Sequence, residues 1–172
     1  MHYILTGAPG AGKTLILRGL EQAGLPVIEE AATDLIAWRQ AQGVVEPWAN
    51  PAFAEDILVL QLARQARAGE GTTIFDRSPV CTLALARFLG HTPSPALIAA
   101  AEAARDAYVR EAFFVESLDF IVNTDARRID LDGALRFGDL HRETYEALGF
   151  TLTGIKPGPP ESRVEAVRAH LA

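Results

Sequence analysis

The chain has 172 residues, 49% of them hydrophobic and 22% charged, with a formal net charge of −6. That size and balance predict one soluble globular domain, residues 1–172, able to bury a substantial core. The acidic charge offers no electrostatic case for nucleic acid or an anionic membrane as main partner. Cys81 is the only cysteine, so no internal disulfide and no cysteine-based zinc cluster can form, and a reducing cytoplasm is the expected location. The four histidines show no metal-ligand spacing, no apolar run reaches the ~20 residues of a membrane helix, and Met1 to Leu5 is too short for a signal peptide.

In chain order, residues 3–6 read as a short buried strand, Gly7 to Gly12 as a glycine-rich turn, and Lys13 to Ala23 as a helix. Leu15, Ile16, Leu20 and Ala23 lie at helical spacing there. A second strand over 26–28 ends at Glu29 and Glu30. Helices are expected over 31–42 and 52–68, with an irregular loop carrying Pro47, Trp48 and Asn50 between them. Thr72 to Phe75 is a third strand with Asp76-Arg77-Ser78 at its end, followed by helices over 79–89 and 96–108. Leu118 to Val122 is predicted as the fourth strand, 123–136 as a polar stretch, 139–148 as a helix, 150–155 as the fifth strand and 161–171 as the last helix. Short apolar strands alternating with helices predict an α/β fold: a parallel sheet covered on both faces, in three layers.

Gly7-Ala8-Pro9-Gly10-Ala11-Gly12-Lys13-Thr14 satisfies G-x-x-x-x-G-K-[ST] between a strand and a helix, the context a phosphate-binding P-loop requires. Glycines let backbone N–H groups converge on phosphate oxygens, and the helix adds its positive dipole end. Lys13 is expected to reach the β- and γ-phosphates, and the Thr14 hydroxyl to ligate Mg²⁺. With Leu15 at its edge, this stretch is the expected binding site for ATP and Mg²⁺. The chain has only one other lysine, Lys156, against many arginines, which suggests a position where arginine will not serve.

Asp76 ends a buried strand, at the sheet edge where open α/β folds bind ligands. It can hold Mg²⁺ through water, or instead cap the helix that follows. Arg77 beside it can face a phosphoryl or acceptor group. Glu29 or Glu30, at the same edge, can take a proton from an acceptor hydroxyl or orient a water; either can equally serve the first turn of a helix. Arg127 and Arg128 lie in a candidate lid over 123–137, where arginines can stabilise transferring phosphoryl charge; pairing with Asp125, Asp130, Asp132 and Asp139 on a solvated helix face is the plainer reading of Arg127, Arg128, Arg136 and Arg142. Trp38, Trp48, Phe53 and Tyr108 can line an acceptor pocket or belong to the core, and Cys81 reads as a small buried residue.

These residues resemble the kinase-like branch of P-loop NTPases. The Asp76-Arg77-Ser78 turn is similar to the DR-S or ER-S turn of thymidylate and deoxynucleoside kinases. Nearly the whole chain resembles a family of ATPases described as an AAA domain, through Ile4 to Thr14, Val27 to Ala31, Pro47-Trp48 to Phe53, Phe75-Asp76-Arg77 to Gly90, Thr124-Asp125 to Arg128, His141 to Gly149 and Glu161 to Val164. The resemblance implies a five-stranded sheet in the order 2-3-1-4-5. It also implies a base role for Glu29 or Glu30 and substrate binding by Arg77. Asn123-Thr124-Asp125 lacks the lysine of a guanine-reading N/T-K-x-D turn, so adenine is the expected base.

The leading expectation is an ATP-dependent phosphotransferase acting on a small hydroxyl- or phosphate-bearing acceptor held by the helices of residues 31–70. Two rivals stand beside it: a nucleotide-dependent binding module that recruits a protein or lipid partner, and a slow stand-alone ATPase. All three need the same lysine. Lys13→Ala is expected to abolish triphosphate binding, and ATP and GTP titrations unchanged in that variant would refute the P-loop assignment.

Overall fold

The computed structural model describes residues 1–117 and 131–171. Five parallel strands form one sheet in the order β2-β3-β1-β4-β5: β1 His2–Gly7, β2 Val27–Ile28, β3 Thr73–Asp76, β4 Glu111–Val115 and β5 Thr151–Ile155. Around it run α1 Lys13–Gln22, α2 Ala31–Ala41, α3 Phe53–Gln65, α4 Pro79–Phe88, α5 Pro95–Ala107, α6 Leu131–Ala147 and α7 Pro160–Arg168, with a 3₁₀ turn at Pro47–Ala49. No helix among the described residues is long and apolar enough to cross a membrane.

Strand alternation builds two cores, one on each face of the sheet. Ile4 and its register partners Phe75 and Ala112 face α4, α5 and α6 and pack with Leu83, Leu97, Tyr145 and Phe150. Tyr3, Leu5, Ile74, Phe113 and Val115 face the other way, against Ile16, Leu17 and Leu20 of α1 and Val164 and Val167 of α7. Each large aliphatic side chain buried in this way contributes about 1.5–3 kcal/mol. A third cluster, Ala31, Phe53 and Ile57 with Leu35, Ile36 and Trp48, joins α2 and α3.

The fourth strand is a correction. It is Glu111–Val115, and the stretch expected to form it, Leu118–Val122, lies outside the described residues. Two short apolar runs stand six or seven positions apart in the sequence, and periodicity alone does not arbitrate between them. Helix α6 also starts earlier than expected, at Leu131 instead of Asp139. Gly133 and Gly138 lower the intrinsic helix propensity of its first half, and tertiary packing overrides them. Leu15 is 62% exposed and Ala23 is exposed too, so the inward face of α1 is Ile16, Leu17 and Leu20.

Two glycines permit close approaches that position the site. A Cβ on Gly7 would stand 2.3 Å from the Val115 carbonyl oxygen, and its φ of +131° lies where side chains are strained. A Cβ on Gly19 would stand 2.5 Å from Val164 Cγ2, so its absence lets α7 seat directly on α1. Gly7→Ala is expected to destabilise the fold by about 3 kcal/mol, the sum of backbone strain and a forced shift of β4. In thermal unfolding that is a fall of roughly 10 °C; a melting temperature within 2–3 °C of the parent would show that β1 and β4 can separate at this point.

Candidate functional site

Parallel strands place their carboxyl ends on one edge, so the ends of β1, β2 and β3 deliver Gly7, Glu29-Glu30 and Asp76-Arg77 to the same place. From Gly7 the chain turns through Gly10 and Gly12, both at left-handed φ (80° and 84°), before α1 begins at Lys13. Gly12 is the N-cap and offers no side chain, which leaves the first amides of the helix open to an anion. Lys13 is buried, and its Nζ donates to Gly7 O at 3.2 Å and Ala8 O at 2.9 Å. Thr14 and Leu15 are exposed beside it.

Asp76 is buried at the end of β3, and its Oδ1 has no hydrogen-bond partner among the described residues. It is not a helix cap: the N-cap of α4 is Ser78, whose hydroxyl meets Tyr145 Oη at 2.7 Å. Burial, with the charge of Glu30, pushes the Asp76 carboxyl up to about 6, against the opposing pull of Lys13 and Arg77. A buried carboxylate oxygen without a donor, at the same sheet edge as the P-loop with its exposed Thr14, suits a hard divalent cation that keeps most of its other ligands as water and phosphate oxygens. No group of three or more His, Cys, Asp or Glu among the described residues could hold a metal by itself.

Arg77 follows in a left-handed conformation, φ 74°, rare for a non-glycine residue. Its backbone N–H still donates to Leu5 O at 3.0 Å, while its side chain, 8% exposed, pairs through Nε with Glu30 Oε1. Nη1 lies 3.1 Å from His141 Nε2 on α6. The tautomer follows from the other ring nitrogen: Nδ1 is 2.9 Å from the Phe137 carbonyl and must donate to it, so Nε2 accepts from Arg77. Burial, reinforced by the Arg77 charge, lowers the His141 pKa to about 3. Burial works against the Arg77 charge, but Glu30, Cys81 and Asp76 outweigh it and hold the guanidinium ionised well above its ordinary range.

The two candidate glutamates part company here. Glu30, with a side chain 13% exposed, bonds Arg77 and accepts from Thr33 Oγ1 at 2.7 Å. Glu29 is exposed and pairs with Arg18, while its carbonyl accepts from Arg64 Nη1 at 2.7 Å. A cleft of about 210 Å³ opens beside Glu30 and Arg77. Pro9 of the P-loop stands at one side, α2 and α3 provide Ile36, Phe53 and Ile57, α4 provides Thr82, Leu85 and Phe88, and α6 provides Phe137. Trp48 lines it from the 3₁₀ turn, and Gln61 accepts from Thr82 Oγ1 at 2.8 Å within it. Trp38 is exposed elsewhere, and Tyr108 packs edge-on to Phe75 in the core.

Below the cleft a buried chain of polar contacts joins Thr6 Oγ1, Cys81 Sγ, Tyr145 Oη and Ser78 Oγ at 2.7–3.1 Å. Arg127 and Arg128 lie outside the described residues. Of the neighbouring arginines, Arg136 is exposed and pairs with Asp132 at 3.2 Å, and Arg142 lies over the Phe114 ring at 4.3 Å. Sequence reasoning missed His141, Tyr145 and Arg163. The first two belong to a helix whose start it misjudged, and nothing in their spacing points to a strand end far along the chain.

The model of a family described as AAA domain matches residues 2–163. No curated protein sequence matches the chain. Among solved structures, shikimate kinase from Aquifex aeolicus vf5 aligns with TM-score 0.60 at 13% identity, over 98% of this chain and 95% of that one. Deoxyadenosine kinase from M. mycoides, with products dCMP and a flexible dCDP bound, aligns with TM-score 0.62 at 9% identity, over 98% and 97%. At such identities these are likenesses of fold.

The neutral, buried state of His141 carries a stability signature. In the unfolded chain it takes a proton near its ordinary 6.5; in the fold it does not until about 3. The unfolded state therefore binds more protons between those values, and stability drains away as pH falls through that window. His141→Gln lacks this linkage, so the stability gap between parent and variant is expected to narrow by about 2 kcal/mol from pH 7 to pH 5. Urea unfolding at both pH values measures it; a gap of constant size would mean that His141 takes up its proton in the fold as readily as in the unfolded chain.

Proposed function

Because the chain belongs to the AAA domain family and has the fold of kinase-like P-loop NTPases, we propose that it is an ATP-dependent phosphotransferase acting on a small-molecule acceptor. The observation that carries this reading is the Glu30–Arg77 pair, which lines an apolar cleft that Pro9 of the P-loop also borders and that is large enough to hold more than water. A P-loop used only for hydrolysis or switching has no need of such a second compartment.

On this reading the polyphosphate of ATP lies on the amides of Gly7 to Thr14, with Lys13 leaving its carbonyl partners to meet the β- and γ-phosphates. Thr14 and, through water, Asp76 are the residues that would hold Mg²⁺, which when bound neutralises charge on the transferring phosphoryl group. The acceptor occupies the cleft, its apolar or aromatic part against Trp48, Phe53, Phe88 and Phe137. Glu30 receives the hydrogen bond of the acceptor hydroxyl and orients its oxygen, and Arg77 presents a guanidinium edge to the group in transit. Glu29, tied to Arg18 on the surface, has no part in this.

The fold likenesses support the reading in kind: a shikimate kinase and a deoxyadenosine kinase have this architecture. The acceptor class is set by the helices over 31–70, which supply much of the cleft wall.

The test is a panel of nucleosides, nucleotides and small hydroxylated metabolites incubated with MgATP, with phosphorylated product resolved from free phosphate. Transfer to at least one acceptor is expected. Glu30→Gln is expected to slow it by about 10²–10⁴-fold, and Glu29→Gln by no more than about twofold. If ATP is consumed with phosphate as the sole product across the panel, the transferase reading is wrong.

A further inference from the structure

We propose that Arg163, on the last helix, is a positioning residue for polyphosphate binding and acts through the Ala11–Gly12 peptide of the P-loop. The inference rests on the nucleotide site proposed above and deepens it: it names a cation behind the loop that tunes how the loop receives phosphate.

Arg163 is 5% exposed, and its Nη2 donates to the Ala11 carbonyl at 2.9 Å. The peptide whose oxygen it binds is the one whose N–H belongs to Gly12, the N-cap of α1. A charge-assisted bond to a peptide oxygen polarises that peptide and makes its N–H a better donor. It also holds the plane of the peptide, which a run of glycine and alanine cannot do for itself.

The surroundings of the guanidinium make a purely architectural role a poor account. Its Nε is buried without a hydrogen-bond partner, and no carboxylate pairs with it among the described residues. It stands beside the amino-terminal end of α1, close enough that a Cβ on Gly12 would lie 2.9 Å from Nη1. A cation there is repelled by the helix dipole, and burial lowers its pKa. Docking of α7 does not require it, because Val164 and Val167 already pack on α1 and Gly19 admits the close approach. An apolar side chain of similar length would fill the space without the desolvation cost. An uncompensated positive charge behind the loop is stabilised when an anion arrives in front of it, across one peptide.

The experiment uses the full chain and two variants, Arg163→Met and Arg163→Lys, titrated by calorimetry with inorganic tripolyphosphate and with MgATP. Arg163→Met is expected to weaken both ligands by a similar factor, about tenfold, with Arg163→Lys in between. In the absence of any ligand, hydrogen exchange at the Gly12 amide is expected to be slower in Arg163→Met than in the parent, because the peptide loses the cation that makes its N–H more acidic. A loss confined to ATP would assign Arg163 to the nucleoside and overturn the proposal, as would affinities within twofold of the parent. Failure of both variants to fold would make the role architectural and overturn it too. A parent chain that binds neither ligand would sink the nucleotide site itself, a result distinct from variants that match a binding parent.

Discussion

A buried guanidinium is costly unless acceptors meet it, and the arrangement of this site follows from meeting that demand for Arg77. Its backbone occupies the left-handed region just past the last residue of β3, which costs on the order of 1 kcal/mol. The conformation persists because the amide still extends the β1 ladder and the side chain is gripped at two nitrogens. One grip is Glu30, delivered by the end of β2; the other is a neutral His141, delivered by α6. Three segments far apart in the sequence are thereby locked around one cation. His141 can serve only with its lone pair directed at Arg77, and the Phe137 carbonyl ensures this by taking the proton on the opposite nitrogen. The same Phe137 lines the cleft, so the residue that sets the tautomer also shapes the wall.

The charges around the strand ends nearly cancel. Lys13 and Arg77 face Asp76 and Glu30, and the carboxyl of Asp76 feels all three of the others. Asp76 is the member least well compensated, with burial raising its pKa and one oxygen lacking a donor. Lys13 is bonded to carbonyls of its own loop. A site so balanced does not attract ligands by a strong field, in keeping with an acidic chain. On the proposed reading its selectivity would rest on geometry: amides and one ammonium from the P-loop, and an apolar cleft lined by the Glu30–Arg77 pair.

Most of this was legible where the physics is local. The P-loop, the strand before it, the helix after it and the turn at Asp76-Arg77 each carry their own signature in adjacent residues, and the alternation of strands with helices implied the layered sheet. The choice between Glu29 and Glu30 was not legible, because neighbouring residues at a strand end point different ways and tertiary partners decide which is buried. The fourth strand was misplaced because Ala112 to Val115 competes with a second apolar run a few residues on. His141, Tyr145 and Arg163 were missed because their signal is a contact across 64, 64 and 152 positions, respectively. Single-sequence periodicity has no term for such contacts. Trp48 and Phe53 were placed in the wall of the cleft, while Trp38 and Tyr108, of the same residue class, went elsewhere.

The Glu30–Arg77 pair also constrains how a proton would leave an acceptor hydroxyl on the proposed reading. Both oxygens of Glu30 are engaged, Oε1 by Arg77 and Oε2 by Thr33, yet a carboxylate oxygen has two lone pairs and each can accept a further bond. A carboxylate held this way is oriented to within the tolerance of two fixed donors. It is therefore better suited to aligning a hydroxyl than to stripping its proton early. Phosphoryl transfer through a loose transition state asks for that order of events, because bond breaking to the leaving oxygen runs ahead of bond formation and the nucleophile needs little prior deprotonation. The proton would reach Glu30 late, when the acceptor oxygen has already become acidic through its new bond to phosphorus. The rigidity of the pair and the lateness of the proton are then consequences of one fact, the burial of Arg77.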